Sequence, residues 1–116
     1  MTYLKGESEN LIEVIVSDRK IQIRGHAGYE DAGKDIVCAA ISCLVQTFIA
    51  SVIDLTEDKI KYYIFKGEAE IKYKSLSLKG MLLLDCFLIG INAVSDRYPE
   101  NVRIIKISEN NLGGIR

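Results

Sequence analysis

The chain has 116 residues, of which 48% are hydrophobic and 27% are charged. This length and composition are typical of one globular domain with a modest core, and they exclude a disordered chain. Fifteen basic and sixteen acidic side chains leave a net charge of −1, so we expect no direct binding of nucleic acid through its phosphates.

The chain begins with a predicted β-hairpin. Residues 11–16 are rich in β-branched side chains, and residues 21–24 alternate apolar with polar ones after a short turn. Alternation with a period of two is typical of a strand with one buried face. Gly25 ends the second strand, so His26, the only histidine, is expected at the exit of that strand, where functional residues often lie.

A long helix is predicted over residues 36–53. Asp35 is its predicted N-cap, because a carboxylate there can accept the free backbone N–H groups of the first turn. Cys38 then lies in the first turn, where the helix dipole favours a thiolate and free N–H groups can form an oxyanion hole. Ser42 and Gln46 follow on the same stripe, and the other faces are apolar and require cover.

This helix raises the question of a membrane span. It has about 18 residues, which is the short limit for crossing a bilayer. It also contains four polar side chains, Ser42, Gln46, Thr47 and Ser51. The pattern favours a buried central helix, and we expect no membrane partner.

The second half of the chain predicts another hairpin, a helix and a strand. Residues 61–66 and 69–74 are rich in β-branched and aromatic side chains and are separated by a glycine turn. Residues 81–98 have a helical apolar period, and Pro99 ends that helix. Residues 101–107 are a final strand.

The predicted element order is therefore ββαββαβ, in a single domain over residues 1–116 with a flexible tail from 108. The simplest architecture that buries both apolar helices is a two-layer α+β fold. It has a mainly antiparallel five-stranded sheet with both helices on one face. The order of the strands stays open.

His26 and Cys38 form the candidate site. A thiol at a helix start with a histidine in reach is an activated nucleophile, which favours a Cys–His peptidase or transferase. The third residue that would orient the imidazole is Asp31 or Asp35, or the site works as a dyad. A metal site made by His26 and Cys38 with Asp35 or Cys43 is disfavoured, because the paired spacing of zinc ligands is absent. We expect neither metal nor cofactor.

The three cysteines also indicate the compartment of the protein. Their number is odd, no CxxC pair is present, and the N-terminus lacks the pattern of a secretory leader. Reduced thiols in the cytoplasm are the expected state. Away from the candidate site, Cys43 and Cys86 are predicted to pack as small hydrophobic residues.

The block around these residues resembles the signature of a known family. Gly25-His26-Ala27, a glycine-containing loop and Asp35-Ile36-Val37-Cys38-Ala39-Ala40-Ile41-Ser42 are similar to the signature of the ribosomal-processing cysteine proteases of bacteria. The resemblance implies a small, cytoplasmic, homodimeric cysteine endopeptidase that supports ribosome assembly. Its substrate would be the precursor of a large-subunit ribosomal protein, cut after an aromatic residue to remove an N-terminal extension.

The same resemblance assigns roles to residues. Cys38 would be the nucleophile and His26 the general base, with Asp35 and Ser42 as supporting residues. Residues 27–34 would form a loop that orders over the substrate. In this predicted substrate loop we single out Ala27, Gly28, Tyr29 and Gly33. Gly33 would allow the bend that brings the imidazole toward the thiol.

The alternative function is a non-catalytic ribosome-assembly factor. Such a protein would bind a ribosomal protein through the edge of its sheet by strand addition. Replacement of Cys38 by alanine separates the two functions, because only the peptidase needs the thiol.

Overall fold

The described residues form seven helices and strands, which follow one another in the predicted order. The computed structural model describes residues 11–25, 32–65 and 67–108, and for residues 32–35 the backbone alone. The elements are β1 (Ile12–Val16), β2 (Lys20–Arg24), α1 (Ala32–Leu55), β3 (Ile60–Phe65), β4 (Glu68–Tyr73), α2 (Leu78–Arg97) and β5 (Val102–Lys106). Apart from Ser108, the predicted flexible tail lies outside the described residues.

The five strands form one sheet in the order β3-β4-β2-β1-β5. The pairs β1–β2, β2–β4 and β3–β4 are antiparallel, and β1–β5 is parallel. A parallel neighbour requires a long crossover connection, and α2 lies within the connection that brings the chain back to β5. The mainly antiparallel sheet was predicted correctly, and its strand order is now determined.

The core lies between one face of the sheet and the helices. Val14 lies opposite Ile23 in the register, and Ile23 lies opposite Ala69, so these buried side chains share a face. The helices complete the same cluster with Val37, Ile41, Val45, Phe48, Ile49, Val52, Phe87 and Ile91. The rings of Phe48 and Phe87 are 5.3 Å apart between centroids. The two-layer α+β fold is therefore confirmed.

The opposite face of the sheet is more polar. Glu13 of β1 pairs with Arg24 of β2 at 3.6 Å and with Arg103 of β5 at 3.7 Å. These three residues are neighbours in the strand register. Exposed ion pairs of this kind contribute little to stability. They mark a face that neither of the two described helices covers.

Both helices are long and apolar enough to cross a membrane by length and composition, a test that core helices of soluble proteins also pass. In this fold each helix buries one face against the sheet and the other helix. The remaining faces expose apolar side chains, including Ile36, Ile53, Leu55, Leu78, Leu82 and Ile89. The prediction that the apolar faces of α1 are covered is confirmed at Val37, Ile41, Val45, Phe48 and Val52, which are all buried, but it does not extend to the exposed ends of the helix.

Both helices also begin earlier than predicted. In α1 the added residues include Ala32 and Lys34, which are good helix formers, and the single Gly33 costs only about 1 kcal/mol. In α2 the cap is Ser77, whose hydroxyl accepts a hydrogen bond from the Gly80 backbone N–H at 3.1 Å. Serine is a preferred N-cap residue, and this signal was missed in the sequence.

Candidate active site

An open groove of about 650 Å³ lies between α1 and the turn end of the β3–β4 hairpin. Its existence follows from the strand order. Strand β3 lies at the edge of the sheet, and the helices do not fully cover it. Its residue Ile64 is on the same face as the helices but is still 49% exposed. Phe65 at the end of the strand is 72% exposed and also borders the groove. The space is therefore largely apolar on its sheet side.

The helix side of the groove carries the predicted polar stripe. Cys38, Ser42 and Gln46 all line it, one helical turn apart. The thiol of Cys38 is neither buried nor fully exposed, and its residue packs against the core cluster. The amide Nε2 of Gln46 donates a hydrogen bond of 2.9 Å to the Ser42 hydroxyl oxygen. A nucleophilic side chain thus lies at an open apolar groove with a hydroxyl one turn away.

The backbone immediately before His26 is held in place at the groove. Gly25 has φ +99°, and a β-carbon there would overlap the carbonyl oxygen of Leu11. The Gly25 N–H donates to the carbonyl of Gly67 at 3.1 Å, and Gly67 also has a positive φ, of 78°. Only glycine adopts such backbone conformations readily. The exit of β2 is thereby attached to the turn of the β3–β4 hairpin.

The early start of α1 changes the expected surroundings of the thiol. Asp35 lies within the helix, not at its N-cap, and Gly33 lies in the first turn, not in a bend of the predicted substrate loop. Cys38 is the seventh residue of α1, so its own N–H belongs to the regular helical hydrogen-bond pattern. The free N–H groups lie about one turn earlier. The predicted first-turn position, and the oxyanion hole built on it, were wrong.

Several predicted site residues lie outside the described part of the chain. These are His26, Ala27, Gly28, Tyr29 and Asp31. The roles assigned to His26, Asp35 and the predicted substrate loop therefore remain predictions.

The other two thiols are not core residues. Cys43 and Cys86 are both exposed, which contradicts the prediction that they pack as small hydrophobic side chains. The Cys43 sulfur lies 3.9 Å from the Thr47 hydroxyl oxygen, on a face of α1 away from the groove. Within the described residues, no three His, Cys, Asp or Glu side chains are close enough to hold a metal ion.

Sequence reasoning missed the sheet side of the groove. Ile64, Phe65, Gly67 and Glu68 line it, although they lie far along the chain from Cys38. The available signal was a run of apolar and aromatic residues ending at a glycine turn. That run becomes a groove wall only when β3 is known to be the edge strand.

The fold and this groove define the class of an α+β protein with a cysteine at the mouth of a binding groove. The family model described as "Cysteine protease Prp" matches residues 12–103. The chain belongs to this family, and it is a cysteine-type peptidase.

Relatives of known name agree with this assignment. A ribosomal processing cysteine protease Prp from Staphylococcus aureus (strain Mu50) is 26% identical over 100 residues, which cover 80% of this chain and 94% of the relative. The protein of the same name from Mycoplasma genitalium is 28% identical over 96 residues and 81% of this chain, and 94% of its own length is covered.

Among solved structures, SMU.848 from Streptococcus mutans superposes with a TM-score of 0.74 at 26% identity and covers 85% of this chain and 96% of its own. The structure of the S. aureus ribosomal processing protease Prp with a substrate peptide gives a TM-score of 0.73 at 22% identity. It covers 84% of this chain and 98% of that chain. At this identity the likeness establishes the shared fold alone.

Proposed function

We propose that this peptidase removes the N-terminal extension from the precursor of a large-subunit ribosomal protein and so supports ribosome assembly. The observation that carries the proposal is the position of Cys38 on the wall of an open apolar groove. The relatives named ribosomal processing cysteine proteases support the choice of substrate.

Cys38 is the proposed nucleophile and His26 the proposed general base. The chain contains one histidine, which is therefore its only side chain that ordinarily exchanges a proton near neutral pH without a perturbed pKa. The imidazole takes the thiol proton as the sulfur attacks the carbonyl carbon of the bond to be cut. It then protonates the leaving amine, and water releases the acyl group from Cys38. Asp35 and Ser42 remain the proposed supporting residues.

The sheet side of the groove fits the proposed cleavage after an aromatic residue. Ile64 and Phe65 expose apolar surface, and Ile23 and Ala69 form the floor beneath them. Burying an aromatic side chain against such surface is favourable by about 25 cal/mol per Å² of apolar area removed from water. An extended peptide placed there would have its next peptide bond near the stripe that carries Cys38.

A cytoplasmic homodimer without a cofactor is the proposed working form. Exposed apolar side chains on the uncovered face of the helices, such as Leu78 and Ile89, supply surface that a second copy would remove from water. Light scattering of the purified protein measures this directly, and a mass of one chain at micromolar concentration would contradict the dimer.

Replacement of one thiol tests the peptidase against the non-catalytic binding factor. Purified Cys38→Ala should leave a precursor with its N-terminal extension uncut while still binding it. Cys43→Ala is the matched control, because it removes an exposed thiol five residues along the same helix, and it should cut at the wild-type rate. Mass spectrometry of the products reads both results. Trimming by Cys38→Ala would overturn the mechanism.

A further inference from the structure

The hydrogen bond between Gln46 and Ser42 leaves the proton of the serine hydroxyl available for donation. The Gln46 Nε2 donates to the Ser42 oxygen at 2.9 Å. A hydroxyl has one proton and two acceptor positions. Because the amide occupies an acceptor position, the Ser42 proton is left for a different partner. A hydroxyl that accepts one hydrogen bond is also polarised into a better donor for the next.

The helix places this donor beside the thiol. Side chains in a helix lean toward its N-terminus, so Gln46 leans over Ser42, and Ser42 leans over the turn that carries Cys38. Residues four apart on a helix have β-carbons about 5–6 Å from each other. All three side chains line the same groove. An oxygen on a carbon bonded to the Cys38 sulfur would therefore lie within hydrogen-bond reach of the Ser42 hydroxyl.

We propose that Ser42 donates a hydrogen bond to the oxyanion formed at the scissile carbonyl, and that Gln46 is a positioning residue that holds the hydroxyl in its donating orientation. This inference rests on the proposed function. The Ser42 hydroxyl would take the place of the Cys38 backbone N–H as a donor to the oxyanion. Cys38 is the seventh residue of α1, so its N–H is already used in a helical hydrogen bond.

The step balances without any further reactant. The Cys38 thiol gives its proton to the general base as its sulfur forms a bond to the carbonyl carbon, and the π electrons of the C=O bond move onto oxygen. The Ser42 proton is shared with that oxyanion in a hydrogen bond and is not transferred. When the C–N bond breaks, the electrons return to form the acyl carbonyl, and the amine leaves with a proton from the general acid. Ser42 and Gln46 return to their starting states.

Steady-state cleavage of a precursor peptide tests the inference with two single variants and their combination. Ser42→Ala should lower kcat about 100-fold, since loss of one oxyanion donor has an effect of this order. Gln46→Met keeps the length and helix propensity of the side chain but donates no hydrogen bond. It should lower kcat about 10-fold with KM changed less than about twofold, because the lost orientation acts only on the transition state.

The double variant shows whether Gln46 acts through Ser42. In Ser42→Ala the added Gln46→Met should have no further effect on kcat, because the hydroxyl that it positions is gone. Ser42→Thr, which keeps a hydroxyl, should recover most of the activity. Asn92→Met is the matched control: it removes an exposed amide that donates to the Leu88 carbonyl within α2 and should leave kcat unchanged.

The outcomes separate this inference from the function on which it rests. Three results would overturn the role of Gln46. The first two are a wild-type kcat in Gln46→Met and a change in KM alone. The third is a loss of kcat on Gln46→Met that is equally large in the presence and absence of the Ser42 hydroxyl. Wild-type kcat in Ser42→Ala overturns the donor. A wild-type protein that leaves the precursor uncut removes the proposed function and this inference together. Urea unfolding of each variant confirms that the exposed substitutions leave the fold intact.

Discussion

The two ends of the β3–β4 hairpin differ in what the polar groups around them contact. At the turn end, Ile64 and Phe65 border the open groove, and the hydrogen-bonded side chains of Ser42 and Gln46 on α1 line it as well. At the other end, Ile60 and Tyr73 are paired, and the adjoining segments are tied together by hydrogen bonds. The polar groups at the second end connect separate segments of the fold, whereas the Ser42–Gln46 pair connects only neighbouring turns of α1 and lies at the open groove.

The second of these regions is a joint between the two helices, made by Thr56, Asp58, Ser77 and Gly80. The Thr56 hydroxyl donates to the Val52 carbonyl at 2.7 Å and accepts from the Asp58 N–H at 2.9 Å. The Asp58 carboxylate accepts from the Ser77 N–H at 3.1 Å and from its hydroxyl at 2.9 Å. The Ser77 hydroxyl then caps Gly80. The end of α1 is thereby connected to the start of α2.

The largest effect on stability at this joint should come from Gly80→Ala. A β-carbon at this position would overlap the Asp58 carboxylate and crowd the Leu76 side chain. Because that carboxylate is held by its bonds to Ser77, it can move aside only by breaking them. We expect the free energy of unfolding in urea to fall by about 2 kcal/mol, in the range of other overpacked sites.

The Gly80→Ala variant also separates the role of the joint, which is in stability, from the role of the groove, which is in catalysis. Its kcat per folded molecule should equal that of the wild type, whereas Ser42→Ala should show low kcat at wild-type stability. A Gly80→Ala protein that is as stable as the wild type would show that the joint is looser than described. One that folds but has lost kcat would show that the two ends of the hairpin are coupled.

A smaller loss is expected from Asp58→Asn. The amide keeps one acceptor oxygen but loses the second, and it also loses the negative charge near the N-terminus of α2. The free energy of unfolding should fall by about 1 kcal/mol. In the Gly80→Ala background the same change should have less effect, because the carboxylate has already been displaced. Asp54→Asn, at an exposed carboxylate on α1, is the control and should stay within about 0.5 kcal/mol of wild type.

The contrast between the two regions also shows what could be predicted from sequence. Local periodicity was sufficient for all seven elements and for the stripe of Cys38, Ser42 and Gln46, because these depend on neighbours in the chain. The bounds of α1 were less accurate, since helix formers such as Ala32 outweighed one glycine. The groove wall at Ile64 depended on strand order, which the pattern of one strand does not contain.

The wrong prediction for Cys43 and Cys86 also arose because their exposure depends on tertiary structure. Cys43 and Cys86 were predicted as core residues from the general burial of free cysteine. Whether a particular face of α1 or α2 is covered depends on where the neighbouring helix and the sheet lie, and both residues face outward. The cap of α2 by Ser77 was visible in the sequence, but its second partner, Asp58, lies nineteen residues earlier.

The smallest effect is expected from Tyr73→Phe and is confined to alkaline pH. Tyr73 lies at the joint end of the hairpin, and burial, reinforced by the Asp18 carboxylate, raises the pKa of its phenol above the ordinary value. Above a pH of about 10 the unfolded chain loses this proton while the folded chain keeps it. The folded state then binds more protons, so the free energy of unfolding falls as pH rises.

Urea unfolding from pH 7 to pH 11 measures this effect as a difference between two proteins. The unfolding free energy of the wild type minus that of Tyr73→Phe should be constant up to a pH of about 9. Above that pH this value should decrease, because only the wild type loses the contribution of the phenol proton. Asp18→Asn keeps the phenol but removes the nearby negative charge, so its alkaline loss should be smaller than that of the wild type. Parallel curves for wild type and Tyr73→Phe up to pH 11 would show that the phenol has the same pKa in the folded and unfolded chains, and that the joint end of the hairpin is more hydrated than its burial indicates.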